Sequence, residues 1–196
     1  MFSGVNPIGC KVYGFVKPSQ NEFDHDFLWR IHKVTPPAGM IYIYNRSHYE
    51  DILVPTVEKT FPADVVAKRY EHINNFERLL TDSNVRVLKF YLHISKEVQQ
   101  TRLEERLAEK RSYWKHNDGD RESREKWDQY IDVYEDIFAK TSKRNAPWVV
   151  VPADNKWYAA YVISKKIVET LEQQMKLDWP DLETERFSMQ DEDEEK

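Results

Sequence analysis

Residues 40–51 read MIYIYNRSHYED, a short apolar strand that stops on Asn45, Arg46 and Ser47 just before a helical pattern. In doubly wound α/β folds the carboxyl ends of the strands face the ligand crevice. An amide, a guanidinium and a hydroxyl in a row at such an end are therefore placed for phosphate chemistry.

Working outward, three more β-rich runs stand at residues 11–16, 85–93 and 148–151. Helical patterns separate the later ones, the alternation expected of an α/β fold with a mostly parallel sheet flanked by helices. The stripe Trp127, Tyr130, Ile131, Tyr134, Ile137 and Phe138 follows the i+3/i+4 rhythm, as does Trp157, Tyr161, Val168, Leu171 and Met175. Both are read as core faces. Ser95, Lys96 and Glu97 open a further helix that runs to about residue 108, a hydroxyl cap and an early acid suiting its exposed N–H groups.

The chain has 196 residues, enough for one domain with a sizeable core and a small insertion. Charged residues make up 32% and aromatics 13%, which describes a packed globular chain rather than a disordered one. The net charge of −5 argues against a protein that coats nucleic acid through its overall field. Cys10 is the single cysteine, which excludes an intrachain disulfide and a multi-cysteine zinc site and suits a reducing cytoplasm. No basic, apolar leader opens the sequence and no apolar run reaches membrane-spanning length, so a cytoplasmic protein without membrane attachment is expected. The end, QDEDEEK, is acidic and lacks apolar periodicity. Residues 178–196 are expected to be a disordered tail on a domain of residues 1–177.

Residues 102–126 concentrate basic side chains, among them Lys115, Arg121 and Arg124. An exposed helical pair, its cations offset by acids at i,i+4 spacing, is one reading. The turn HNDGD at 116–120 breaks the segment in two, which also suits a helical lid, about residues 102–128, closing over a phosphorylated ligand.

Four separated motifs then point to one family. The segments DHDFLWRIHK (24–33), NRSHYED (45–51), the stretch from Trp114-Lys115 to Trp127-Asp128-Gln129-Tyr130, and PADNKW (152–157) closely resemble the polyphosphate kinase 2 family, in the same order, over residues 3–177. The resemblance implies a P-loop kinase fold. It also implies an enzyme, with Mg²⁺ as cofactor, that moves the terminal phosphoryl group between inorganic polyphosphate and a purine nucleoside mono- or diphosphate. By position, Asn45 and Arg46 match the family's Walker B-like site, the amide near the metal and its water shell and the arginine on phosphate oxygens. Arg124 matches the lid arginine, supported by Lys115 and Arg121. Asp24, Arg30 and Lys33 are implied as contacts to nucleotide or polyphosphate.

Plainer roles stand beside these. Arg46, the foremost catalytic candidate, has a plainer alternative in pairing with a nearby Glu or Asp, and Asp24 and Asp26 equally suit a helix cap and a first-turn acid. Asp154, Asn155 and Lys156 lie where P-loop kinases often place base contacts, but they equally suit a helix cap. His25, His32 and His48 have no dependable ligand spacing around them, so no metal is assigned to them.

One part of the family pattern is missing from the 196 residues: the glycine-rich Walker A loop. Gly4 and Gly9 in GVNPIGCK mimic its spacing, but Cys10 stands where lysine is required, and the stretch leads into a strand rather than a helix. The expected sheet is therefore a four-stranded parallel remnant lacking the central Walker A strand, with a slot between the strand ending at Asn45 and that of residues 85–93 unless the two close up. Impaired catalysis follows, since oxyanion-type contacts are worth about 3 to 4 kcal/mol each. Two other functions stay open: a non-catalytic polyphosphate- or nucleotide-binding module or partner subunit, and an ATP-dependent nucleotide kinase. Oligomeric state is open as well, a homo-oligomer included.

Overall fold

The computed structural model describes residues 8–108 and 119–174. The elements follow the order β1 (Cys10–Gly14), α1 (Gln20–Phe23), α2 (Trp29–His32), β2 (Ile41–Asn45), α3 (Glu50–Glu58), α4 (Ala63–Asp82), β3 (Lys89–His93), α5 (Lys96–Ala108), α6 (Gly119–Glu125), α7 (Trp127–Thr141), β4 (Trp148–Pro152) and α8 (Lys156–Gln174). Local chemistry sets several boundaries. Ser19 and Glu22 form a reciprocal capping box at the start of α1, Lys59 closes α3 in a left-handed conformation, and the Asn155 Oδ1 accepts from the Trp157 and Tyr158 amides to open α8.

All four strands pair in parallel, β1 with β2 (Cys10 opposite Ile41, Gly14 opposite Asn45) and β3 with β4 (Lys89 opposite Trp148, His93 opposite Pro152). The expected remnant is thus present as two separate two-stranded sheets: β2 and β3 are not hydrogen-bonded to each other, and no fifth strand lies among the described residues. α3, α4 and α7 pack against one another as one layer that engages both pairs. Tyr44 and Phe15 reach this layer from the first pair and Trp148 from the second, around a core of Leu28, Ile31, Tyr49, Ile52, Leu53, Val66, Ile73, Phe76 and Ile137. Fully burying each isoleucine there is worth about 2 to 3 kcal/mol.

The stripe on α7 is core as expected, with Ile137 inaccessible and Tyr130, Tyr134 and Phe138 packed around it. The stripe on α8 is not. Trp157, Tyr161 and Val168 are 69%, 55% and 49% exposed, and the helix instead turns Ala159, Val162 and Ile163 onto Val151, Ala153 and Phe90. α8 carries two apolar sides, and one strand pair can bury only one of them. Val12 on β1, with the flanking Ile8 and Val16, is also largely exposed. Of the basic segment, α5 and α6 are described, whereas residues 109–118 and the tail lie outside the described residues.

Candidate active site

Asn45 is the last residue of β2; its carbonyl accepts from the Phe15 amide at 3.0 Å, while its exposed side chain has no hydrogen-bond partner among the described residues. Arg46 follows with φ +64°, a left-handed conformation that costs a non-glycine residue about 1 kcal/mol. This single residue turns the chain out of the strand. Ser47 then receives the Tyr49 amide on its Oγ at 3.3 Å and the Glu50 amide on its carbonyl at 3.1 Å, leading into α3.

The Arg46 guanidinium is 63% exposed, with its Nη1 3.8 Å from the Glu50 carboxylate. Both readings of Arg46 therefore apply to one geometry: it has an internal anion beside it, yet most of its surface faces solvent. Burial holds the Glu50 carboxyl above the usual range, and the Arg46 charge only partly opposes that.

Arg124 lies against the start of α5, its Nη1 donating to the Lys96 carbonyl at 2.9 Å and to Gln99 Oε1 at 3.0 Å. The structure thus anchors Arg124 to α5 rather than to the Arg46 turn. Arg102 clamps α5 to the loop after β4 by donating to the carbonyls of Ala153 and Asp154, and Asp154 Oδ1 receives the Ser95 amide at 2.7 Å. Asp154 and Asn155 accordingly do helix-terminus chemistry, at α5 and α8 respectively.

Arg30 has internal partners. It is buried over the Phe15 ring, with Nη1 donating to the Val16 carbonyl at 2.9 Å and Nη2 3.3 Å from Asp51 Oδ2. Burial pushes the Asp51 carboxyl up, with Arg30 and Arg69 opposing. Through these partners Arg30 ties α2 to the segment after β1 and to α3. Lys33 is exposed, its Nζ 4.0 Å from the centre of the Trp29 ring, and Trp29 stacks on His25 at 3.9 Å. Asp24 is the C-cap residue of α1, and its Oδ1 accepts from Gln20 Nε2 at 2.9 Å, an i,i+4 side-chain pair rather than an N-terminal cap. Arg121 falls in α6, and Lys115 lies outside the described residues.

The histidines do not converge. His25 stacks on Trp29, His32 meets the Phe76 ring edge-on, and His48 Nε2 lies 3.4 Å from Glu77 Oε1. Among the described residues, no group of three or more His, Cys, Asp or Glu side chains could hold a metal. The carboxylates beside the strand end, Glu50 and Asp51, face Arg46 and Arg30, which leaves the neutral Asn45 amide. These residues do not fit a protein-held magnesium site. Magnesium in kinase sites is in any case carried largely by substrate phosphates and water.

Sequence reasoning missed the buried network beneath the turn, in which Glu77 of α4 meets Lys89 of β3 and Tyr49. Its only trace in the sequence is an acid and a lysine at otherwise core-facing positions, INNFE and KFYLH.

Known proteins are similar to this chain over most of its length. A phosphotransferase of Meiothermus ruber described as acting between AMP or ADP and polyphosphate is 47% identical over 172 residues, 88% of this chain and 64% of its own length. A polyphosphate:AMP phosphotransferase of Pseudomonas aeruginosa is 34% identical over 89% of this chain and 35% of its own length. The crystal structure of polyphosphate kinase 2 from Arthrobacter aurescens TC1 superposes with a TM-score of 0.85 at 42% identity, covering 89% of this chain and 62% of that one. The chain spans less than two-thirds of the length of the Meiothermus and Arthrobacter proteins. With the model of polyphosphate kinase 2 matching residues 1–178 as well, the chain belongs to the polyphosphate kinase 2 family.

Proposed function

We propose that this chain is the nucleotide- and polyphosphate-handling part of a phosphotransferase that moves a terminal phosphoryl group between inorganic polyphosphate and a nucleoside mono- or diphosphate. The observation that carries the reading is the Asn45-Arg46-Ser47 turn, with its exposed guanidinium at the carboxyl end of a parallel strand. The relatives' names supply the substrate class.

Phosphoryl transfer asks a protein mainly for positioning and for neutralising charge on the equatorial oxygens. In this reading Arg46 supplies a planar, bidentate cation to the transferring group, and the Asn45 amide orders neighbouring oxygens. Arg124 leaves its acceptors on α5 when the lid segment closes and adds a second guanidinium. Lys33, Lys115 and Arg121 contribute charge along the polyphosphate. Mg²⁺, the cofactor implied by the family resemblance, would be held mainly by substrate phosphates and water, and a reducing cytoplasm suits the free Cys10.

The open edges of β2 and β3, and the lack of a glycine-rich phosphate loop within these 196 residues, favour a second reading for the chain by itself: polyphosphate binding with little turnover. A coupled assay for nucleotide formation from polyphosphate, run beside a direct polyphosphate titration, separates the two. Turnover supports the enzyme, and binding alone supports the module. Nucleotide formation with ATP as donor and none with polyphosphate would instead support an ATP-dependent nucleotide kinase.

A further inference from the structure

Below the Arg46 turn, α4, β3 and the residues leading into α3 meet at one buried carboxylate. Glu77 of α4 is 1% exposed; its Oε1 receives the Tyr49 hydroxyl at 2.8 Å and lies 3.4 Å from His48 Nε2, and its Oε2 lies 2.7 Å from Lys89 Nζ. Lys89, the first residue of β3, also donates to the Tyr49 hydroxyl at 2.8 Å and to the Thr141 carbonyl, at the end of α7, at 2.9 Å. All three ammonium donors therefore have acceptors. Burial and the neighbouring Glu77 charge hold the Tyr49 phenol protonated, so it donates to Glu77 while accepting from Lys89.

For stability alone, such a pair has no advantage. Desolvating two charges costs several kcal/mol per ion, and a well-packed apolar pair of the same volume commonly does as well or better. What the charged network supplies, and an apolar pair does not, is a directed hold on His48 and Tyr49. Those residues lie two and three positions after Arg46, whose left-handed backbone persists only if its surroundings over-determine it.

We propose that Glu77 and Lys89 are positioning residues for Arg46, fixing the Asn45-Arg46-Ser47 turn through His48 and Tyr49. The proposal rests on Arg46 being a phosphate ligand. Neither Glu77 nor Lys89 touches the ligand in it; both act through the turn.

The test uses the full 196-residue chain with Tyr49→Phe, with the double variant Glu77→Leu/Lys89→Met, and with each combined with Arg46→Ala. Two readouts are taken: backbone amide order and exchange at Arg46 and Ser47 by NMR, and polyphosphate affinity. Removing the network should leave the chain folded while the Arg46 and Ser47 amides become mobile. Affinity should fall about tenfold, with little further loss when Arg46→Ala is added, since coupled residues are non-additive. Should the double variant fail to fold, Tyr49→Phe, which keeps the ring against Trp148, carries both readouts. Unchanged amides, or losses that simply add to that of Arg46→Ala, overturn the proposal. A wild-type chain that does not bind polyphosphate removes the ligand reading instead, and the amide readout still decides whether the network orders the turn.

Discussion

Arg46 and Glu50 stand one helical turn apart with 3.8 Å between guanidinium and carboxylate, so the arginine assigned to phosphate already has a weak internal competitor. With the arginine exposed and the carboxylate partly buried, a pair at this separation is taken at the surface value of about 0.2 to 1 kcal/mol. Glu50→Gln should therefore raise polyphosphate affinity by roughly two- to fivefold. Arg46→Ala should lower it by about tenfold or more at little cost in stability, because charge-assisted bidentate contacts are lost from an exposed side chain. Calorimetric titration checks both, and equal affinities in all three proteins would remove Arg46 from the site.

The same carboxyl gives a pH dependence. Burial raises Glu50 and Asp51 above their usual values of 4.5 and 3.8. A carboxyl with a raised folded-state pKa holds its proton more tightly in the native state. Its stabilising contribution is full below the unfolded value and is lost as pH rises through the folded one. Urea midpoints measured from about pH 4 to pH 7 should show this fall flattened in Glu50→Gln. Identical slopes in the two proteins would mean that Glu50 is solvated.

Arg30 and Asp51 offer a test of structural against ligand-binding roles. Arg30→Met leaves Asp51 buried without its ion-pair partner and should cost about 3 to 5 kcal/mol. Arg30→Met/Asp51→Asn should recover much of that loss. Urea denaturation gives both values. A stable Arg30→Met protein with weakened polyphosphate binding would favour the substrate-contact role instead.

The split sheet predicts an exchange pattern. Ile41 donates to Gly9, and Asn45 accepts from Phe15, so alternate residues of β2 face β1 while Tyr42 and Tyr44 direct their amides to the open edge. On β3, His93 accepts from Ala153, which turns Phe90 and Leu92 to the open edge by the same alternation. Hydrogen exchange should be faster at Tyr42, Tyr44, Phe90 and Leu92 than at Ile43 and Tyr91. Equal protection of the two sets would show that the edges are occupied in solution.

Arg124 should respond to its acceptor. Gln99→Ala removes one of two hydrogen bonds that hold the guanidinium on α5, each worth about 1 kcal/mol net, and should ease its release toward a ligand. Arg124→Ala should weaken polyphosphate binding, and Arg124→Lys should not rescue it, because an ammonium cannot reproduce a planar fork. Full rescue by lysine would reduce the contribution to charge alone.

The four parallel strands, the core face of α7, the cap on α5 and the Asn45-Arg46-Ser47 turn were legible in the amino-acid sequence, because each rests on local rules: apolar runs, helical period, hydroxyl caps. Tertiary structure decided the rest. Periodicity marks an apolar stripe but not whether a neighbour exists to cover it, so α8 carried Trp157 and Tyr161 to the surface while Ala159 and Ile163 were buried. Nothing local shows that Arg30 meets Asp51 across 21 residues, or that Lys89 finds Glu77 and Tyr49 beneath the Arg46 turn. Those contacts exist because helices α3, α4 and α7 pack into one layer, where a buried charge must find a partner from whichever element lies beside it.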